Sequence, residues 1–200
     1  MSRWIIIFGL LTLNFQTVVA SSVNGLDLPS ATDQAIADIS NEIDKDSIFA
    51  WESSVQEDEV IVKFINTDGI QAKYGCHDHD KEMVCHEELF RQTDDRHRKD
   101  PEVTADFIRS GHLEALSKFK RTLQRRGKDL SVVTAIKVWT HEEGDDDGGH
   151  EHGVDVWTKI KYNTGTPSTI FAVCHVHGDD KSFSCHYRRG AEGEPTLSFK

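Results

Sequence analysis

The chain has no apolar run long enough to cross a membrane. Its longest, Trp4–Leu13, spans ten residues, about half of what a spanning helix needs. It lacks an N-x-S/T sequon, so no N-glycan is expected. Basic residues are scarce, 23 Lys and Arg against 34 Asp and Glu, a net charge of −11. That balance excludes a nucleic-acid binder by composition, since phosphate recognition rests on Lys and Arg. No G-x-S-x-G elbow, H-E-x-x-H helix or glycine-rich phosphate loop occurs, and the carboxylate pairs fall mostly in turns. Nothing in the pattern supports a catalytic site.

What is present begins with an export signal. Arg3 precedes the apolar stretch, and Val18-Val19-Ala20 supplies small residues for cleavage ahead of Ser21. Residues 1–20 therefore read as a secretory signal peptide, and the mature chain as secreted and extracellular. Without that segment the chain holds 22 basic and 34 acidic residues, net −12. Residues 21–100 hold 19 acids and 8 bases, whereas residues 101–200 hold 15 and 14, so the acidity lies mainly in the first half.

Only four cysteines occur, and a secreted chain directs them to two disulfides. The segments "CHDHDKEMVCH" (76–86) and "CHVHGDDKSFSCH" (174–186) are near-copies. The duplicated spacing favours the local pairing Cys76–Cys85 and Cys174–Cys185. Upstream, Lys63-Phe64, Asn66-Thr67 and Gly69 match Lys161-Tyr162, Asn163-Thr164 and Gly165 in order. Such self-similarity predicts two copies of one structural unit.

Each copy is preceded by a helical pattern. Ile36, Ile39 and Ile43 recur at spacings of three and four behind Pro29, with Ser30 and Thr32 as cap candidates. Asp100-Pro101 opens a second pattern, with Val103, Phe107, Leu116, Phe119 and Leu123 as its stripe and Gly127 at its end. The bases on that helix, from Arg109 to Lys128, read as a solvated face. Alternating stretches then predict three or four antiparallel strands per half. The expected fold is α+β: a first unit at 21–90, a linker at 91–100 and a second unit at 101–200, each a helix on one face of its sheet.

Strand geometry suggests what the cysteine–histidine segments can do. Side chains alternate between faces. If Cys76 stands opposite Cys85, then His77, His79 and His86 gather on the other face, and His175, His177 and His186 do likewise in the second copy. The cysteines would form disulfides rather than thiolate zinc ligands, because the paired C-x2-C and H-x3-H spacings of structural zinc modules are missing. The histidines read either as exposed polar residues or as a Zn²⁺ or Cu²⁺ site, the latter without a carboxylate or fourth ligand fixed by spacing. No cofactor is otherwise called for. The loop from His141 to His152, with Asp145, Asp146, Asp147 and His150, reads as an acidic turn, and as a weaker metal candidate.

The stretch "DPEVTADFIRSGHLEALSKFKR" followed by "LSVVTAIKVWT" resembles the opening helix and strand of the cystatin superfamily. The resemblance implies two tandem cystatin-like units and a non-catalytic protein-binding role, with a papain-like cysteine protease as the partner class. It implies Gly25, ahead of the first helix, and the hairpin from Trp51 to Val60 as partner-binding elements. The family's Q-x-V-x-G hairpin motif is absent from both halves. A histidine-rich metal-binding protein is the alternative reading.

Overall fold

The computed structural model describes residues 22–23, 26–94, 97, 99, 103–142, 154–176 and 182–197. Residues 1–20, read from the sequence as a signal peptide, lie outside the described residues, as do Gly25, His177, the 143–153 loop, Asp100 and Pro101. A short antiparallel ladder of β1 (Ser22–Val23) and β2 (Leu26–Asp27) leads into α1 (Leu28–Ile39). Four strands follow: β3 (Ile48–Gln56), β4 (Glu59–Asn66), β5 (Ile70–His79) and β6 (Glu82–Gln92). Then come α2 (Ala105–Gln124), β7 (Val133–Glu142), β8 (Val154–Asn163), β9 (Pro167–Val176) and β10 (Phe183–Arg188).

The helices begin where side chains can satisfy their free N–H groups. The Asp27 carboxylate accepts from Ser30 N, with Pro29 in the first turn. Ser30 and Thr32 are therefore inside the helix rather than its caps. Thr104 Oγ1 accepts from Phe107 N at the start of α2, and Gly127 follows its end at φ +65°, the left-handed geometry that closes many helices. Leu28, Ala31, Thr32, Ala35 and Ile39 form the buried stripe of α1, and Ile108, Ala115, Leu116, Phe119 and Leu123 that of α2. Gly111 lets α2 approach the sheet closely, since a Cβ there would lie 2.8 Å from the Val156 Cβ.

The sheet overturns the expectation of two tandem helix-on-sheet units. All eight long strands form one antiparallel sheet in the order β10-β9-β8-β7-β3-β4-β5-β6. The halves join through β3 and β7, where Ala50–Ser54 stand opposite Trp139–Ala135. Helix α1 lies over β3–β6 and α2 over β7–β10, on the same face. A single core cluster runs beneath both, from Leu28 and Trp51 to Phe119 and Ile160. The helices also meet directly, with the Arg109 guanidinium bidentate on the Asp33 carboxylate at 2.8 and 2.6 Å. The physical reason is edge pairing. An apolar first strand in each half has an unsatisfied backbone edge, and the two edges satisfy each other.

Several described residues of the 91–100 connection hydrogen-bond or stack on the first half of the sheet. Thr93 N and His97 N donate to the carbonyls of Gly69 and Thr67. The His97 ring stacks on Phe49 at 4.7 Å, and Asp46 Oδ1 accepts from Ala105 N at 2.8 Å.

Both disulfides are the local ones. Cys76–Cys85 and Cys174–Cys185 stand in direct register with Cα–Cα distances of 4.0 Å. They brace the hairpins at opposite edges of the sheet. Non-reducing peptide mapping is expected to recover these two links only. Reducing either is expected to lower stability by at most about 3 kcal/mol, because the loops closed are short. A recovered Cys76–Cys174 link would contradict the topology. All four cysteines of the chain are thus paired. Two such bridges indicate an oxidising, non-cytosolic compartment. No helix among the described residues is long and apolar enough to cross a membrane.

Candidate functional site

Alternation along the strands sends every second side chain to the face opposite α1 and α2. That face has three parts. At each end sits a histidine–carboxylate group, and in the middle lie two tryptophans and a row of lysines.

The disulfides face the helices: Cys76 Sγ and Cys85 Sγ lie 3.7 and 3.6 Å from the Ala31 carbonyl of α1. His77 and His86 therefore fall on the opposite face, with His86 in register with Gly75 and their rings 5.2 Å apart. His79 follows, exposed, 6.4 Å from His77. At the other end of the sheet His175 and His186 lie 5.3 Å apart. Register adds a carboxylate to each pair. Glu59, one residue before the partner of Cys76, lies 4.0 Å from His77 Nδ1. Asp155, one residue before the partner of Cys174, lies 3.4 Å from His175 Nδ1. Spacing within either cysteine segment could not show these carboxylates, since they come from the neighbouring strand.

The imidazoles at one end are stacked rather than convergent. Among the described residues no group of three or more His, Cys, Asp or Glu is arranged to hold a metal ion.

Trp51 and Val60, expected to touch a partner, are 1% and 0% exposed. Their side chains belong to the core under the helices. At that hairpin Gln56, Glu57 and Asp58 are the most exposed residues.

The middle of the face is built by one register. Trp139 of β7 stands opposite Trp157 of β8, and two residues along, Lys137 stands opposite Lys159. The indoles stack at 5.9 Å. With Phe49, Ala50, Ile65, Val173 and Leu197 they form a second apolar cluster across the β3–β7 seam. The lysine row continues as Glu52 on β3, Lys63 on β4 and Lys73 on β5, each opposite the next. Lys73 pairs with Glu88, and Lys159 lies over the Phe171 ring at 5.5 Å.

The segment after β10 crosses this region as a strap. The Glu192 carbonyl accepts from Trp139 Nε1 at 2.8 Å. The Glu194 carboxylate sits between Lys137 and Lys159, 2.9 Å from each Nζ. Burial pushes the Glu194 carboxyl up, but hydrogen bonds from both lysines outweigh it and hold the group below the usual carboxylate range. Lys137 also donates to the Pro195 carbonyl, and Leu197 is buried in the cluster. Gly193 adopts φ +59°, and a Cβ there would lie 2.3 Å from His141 Nδ1, so the strap needs glycine at this point.

Sequence reasoning missed this strip, although it carried a signal. "KVW" (137–139) and "WTK" (157–159) place Lys and Trp two apart in opposite order on successive strands, which puts all four on one face of an antiparallel pair. No family model, no curated protein and no solved structure matches the chain.

Proposed function

We propose that this is a secreted, non-catalytic protein that binds another protein through the face of its sheet opposite α1 and α2. The observation that carries the reading is the seam: a tryptophan pair and directly opposed lysines covered by one short segment. Large apolar side chains beside organised charge are the usual makeup of an interaction surface. With every cysteine in a disulfide, a thiol nucleophile has no place in the reading. The signal-like start of the chain and the two disulfides support export.

A test uses capture from the extracellular fluid of the producing organism. Lys63→Glu with Lys161→Glu on the sheet face is expected to abolish capture of the partner. Arg125→Glu with Lys128→Glu, an equal charge change at exposed positions just past the end of α2, is expected to leave it intact. The opposite result would move the binding face to the helices.

Inhibition of a papain-like protease, the activity that the cystatin resemblance implies, is expected to be absent at micromolar protein. The hairpin tip presents Glu57 and Asp58 with Glu59 beside them. Burying such a group unpaired costs several kcal/mol per ion, more than a short tip recovers at about 25 cal/mol per Å². Stoichiometric, tight inhibition by the mature chain would refute this.

A further inference from the structure

The strap shows the chemistry that the seam accepts. Lys137 and Lys159 stand directly opposite each other in the middle of a sheet face, an arrangement that destabilises a sheet unless an anion lies between. Lys137 is only 9% exposed, so water does little to relieve it. The anion is Glu194. The other fastenings are a carbonyl on Trp139 Nε1, a carbonyl on Lys137 and one apolar side chain, Leu197. None of these requires this particular chain. Any extended segment with an acidic residue and an apolar residue three positions on could supply them. Beside them, Trp157 is 2% exposed and its Nε1 has no hydrogen-bond partner, a buried donor that the strap leaves unused. A pocket of about 40 Å³ also remains among Lys137, Lys159, Lys161, Glu52 and Glu194, more than the room one water needs.

We infer that residues 191–197 are a resident mimic, and that the partner docks by displacing them with an extended acidic segment whose carboxylate takes the place of Glu194 between Lys137 and Lys159. The inference rests on the binding reading above and names the partner's chemistry. Charge favours it. Without Glu194 the row holds Lys63, Lys73, Lys137 and Lys159, with Lys161 alongside, against Glu52 and Glu88. This basic strip belongs to a chain that is acidic as a whole, and it would steer an acidic segment toward the seam.

The test uses the heptapeptide Ala-Glu-Gly-Glu-Pro-Thr-Leu, the sequence of residues 191–197, added in trans and followed by tryptophan fluorescence. The receivers are the mature chain, a chain ending at Gly190, and full-length Gly193→Val, whose strap cannot seat against His141. The shortened chain and Gly193→Val are expected to bind at least about tenfold more tightly than the mature chain, since a tethered competitor acts at millimolar effective concentration. Binding should weaken as salt rises and vanish for the peptide with Lys in place of its second Glu. Three results would overturn the inference. In the first, the two variants keep the near-UV dichroism of the mature chain and ignore the peptide. In the second, the Lys peptide binds equally well. In the third, a sulfated oligosaccharide binds more tightly than the peptide. The binding reading itself is judged separately, by partner capture with the intact chain: capture without peptide binding sinks only the mimic, and peptide binding without capture sinks the function.

Discussion

Fragments 21–95 and 96–200, expressed separately, are expected to show no cooperative unfolding on their own, while the intact chain unfolds in a single transition. Separation strips β3 and β7 of each other. Five register pairs, Ala50–Ser54 with Trp139–Ala135, lose their partners, at roughly 1 kcal/mol net per hydrogen bond. The split also divides both apolar clusters, parting Phe49, Ala50 and Ile65 from Trp139, Trp157 and Leu197, and Trp51 from α2. It breaks the Arg109–Asp33 pair and the Asp46 contact to α2 as well. The sum exceeds about 5 kcal/mol, which is the scale of a whole domain's stability. Urea unfolding followed by tryptophan fluorescence reads both halves, since Trp51 lies in one and Trp139 and Trp157 in the other. Mixing the fragments should restore the transition, with a midpoint that rises with concentration. Fragments that each unfold cooperatively near the intact chain's midpoint would show that the seam contributes little.

Acid is expected to destabilise the protein strongly between pH 6.5 and about pH 4, and replacing His112 by Leu should remove most of that effect. His112 lies on α2, is 6% exposed and meets Trp51 edge-on at 6.2 Å. Its Nδ1 has no hydrogen-bond partner. Burial lowers its pKa to about 4; Asp33 of α1 pulls it up, and Arg109 on its own helix pushes it down again. The folded chain thus keeps the imidazole neutral where the unfolded chain protonates it at about 6.5. The unfolded state binds the extra proton, so stability is full above pH 6.5. It falls as pH drops through the window and is flat with respect to this group below about 4. A gap of that size corresponds to about 3 kcal/mol. Denaturation at pH 7, 5 and 4 should show the wild type losing stability in the window and His112→Leu losing much less. Glu194 and Asp129, whose carboxyls are held low, act at lower pH and are common to both proteins. Equal losses in the two would assign the acid sensitivity elsewhere.

Local chemistry was legible in the sequence. The repeated cysteine spacing named both disulfides, the alternation around them placed His77 and His86 away from the bridge, and the apolar spacing found both helices. Each of these depends on contacts within one hairpin or one helical turn, where backbone period alone decides which side chains meet. Helix caps proved less readable: Asp27 and Thr104 took roles that several nearby polar residues could have filled, because small differences in backbone entry decide which side chain reaches the free N–H groups.

What the tertiary structure decided is which strand edges meet. Nothing in the alternation of "IFAWESSV" or "SVVTAIKVWT" says that β3 and β7 pair with each other rather than each ending its own sheet, because any apolar strand edge can satisfy any other. That one pairing merges two expected units into a single sheet and sets Trp51 against His112 of α2. Further strand neighbours bring Glu59 and Asp155 to the histidines and set Lys137 beside Lys159. The strap is more remote still. Residues 191–197 carry no period, and the reason for Glu194 appears only once two lysines from separate strands stand opposite each other with their charges unopposed.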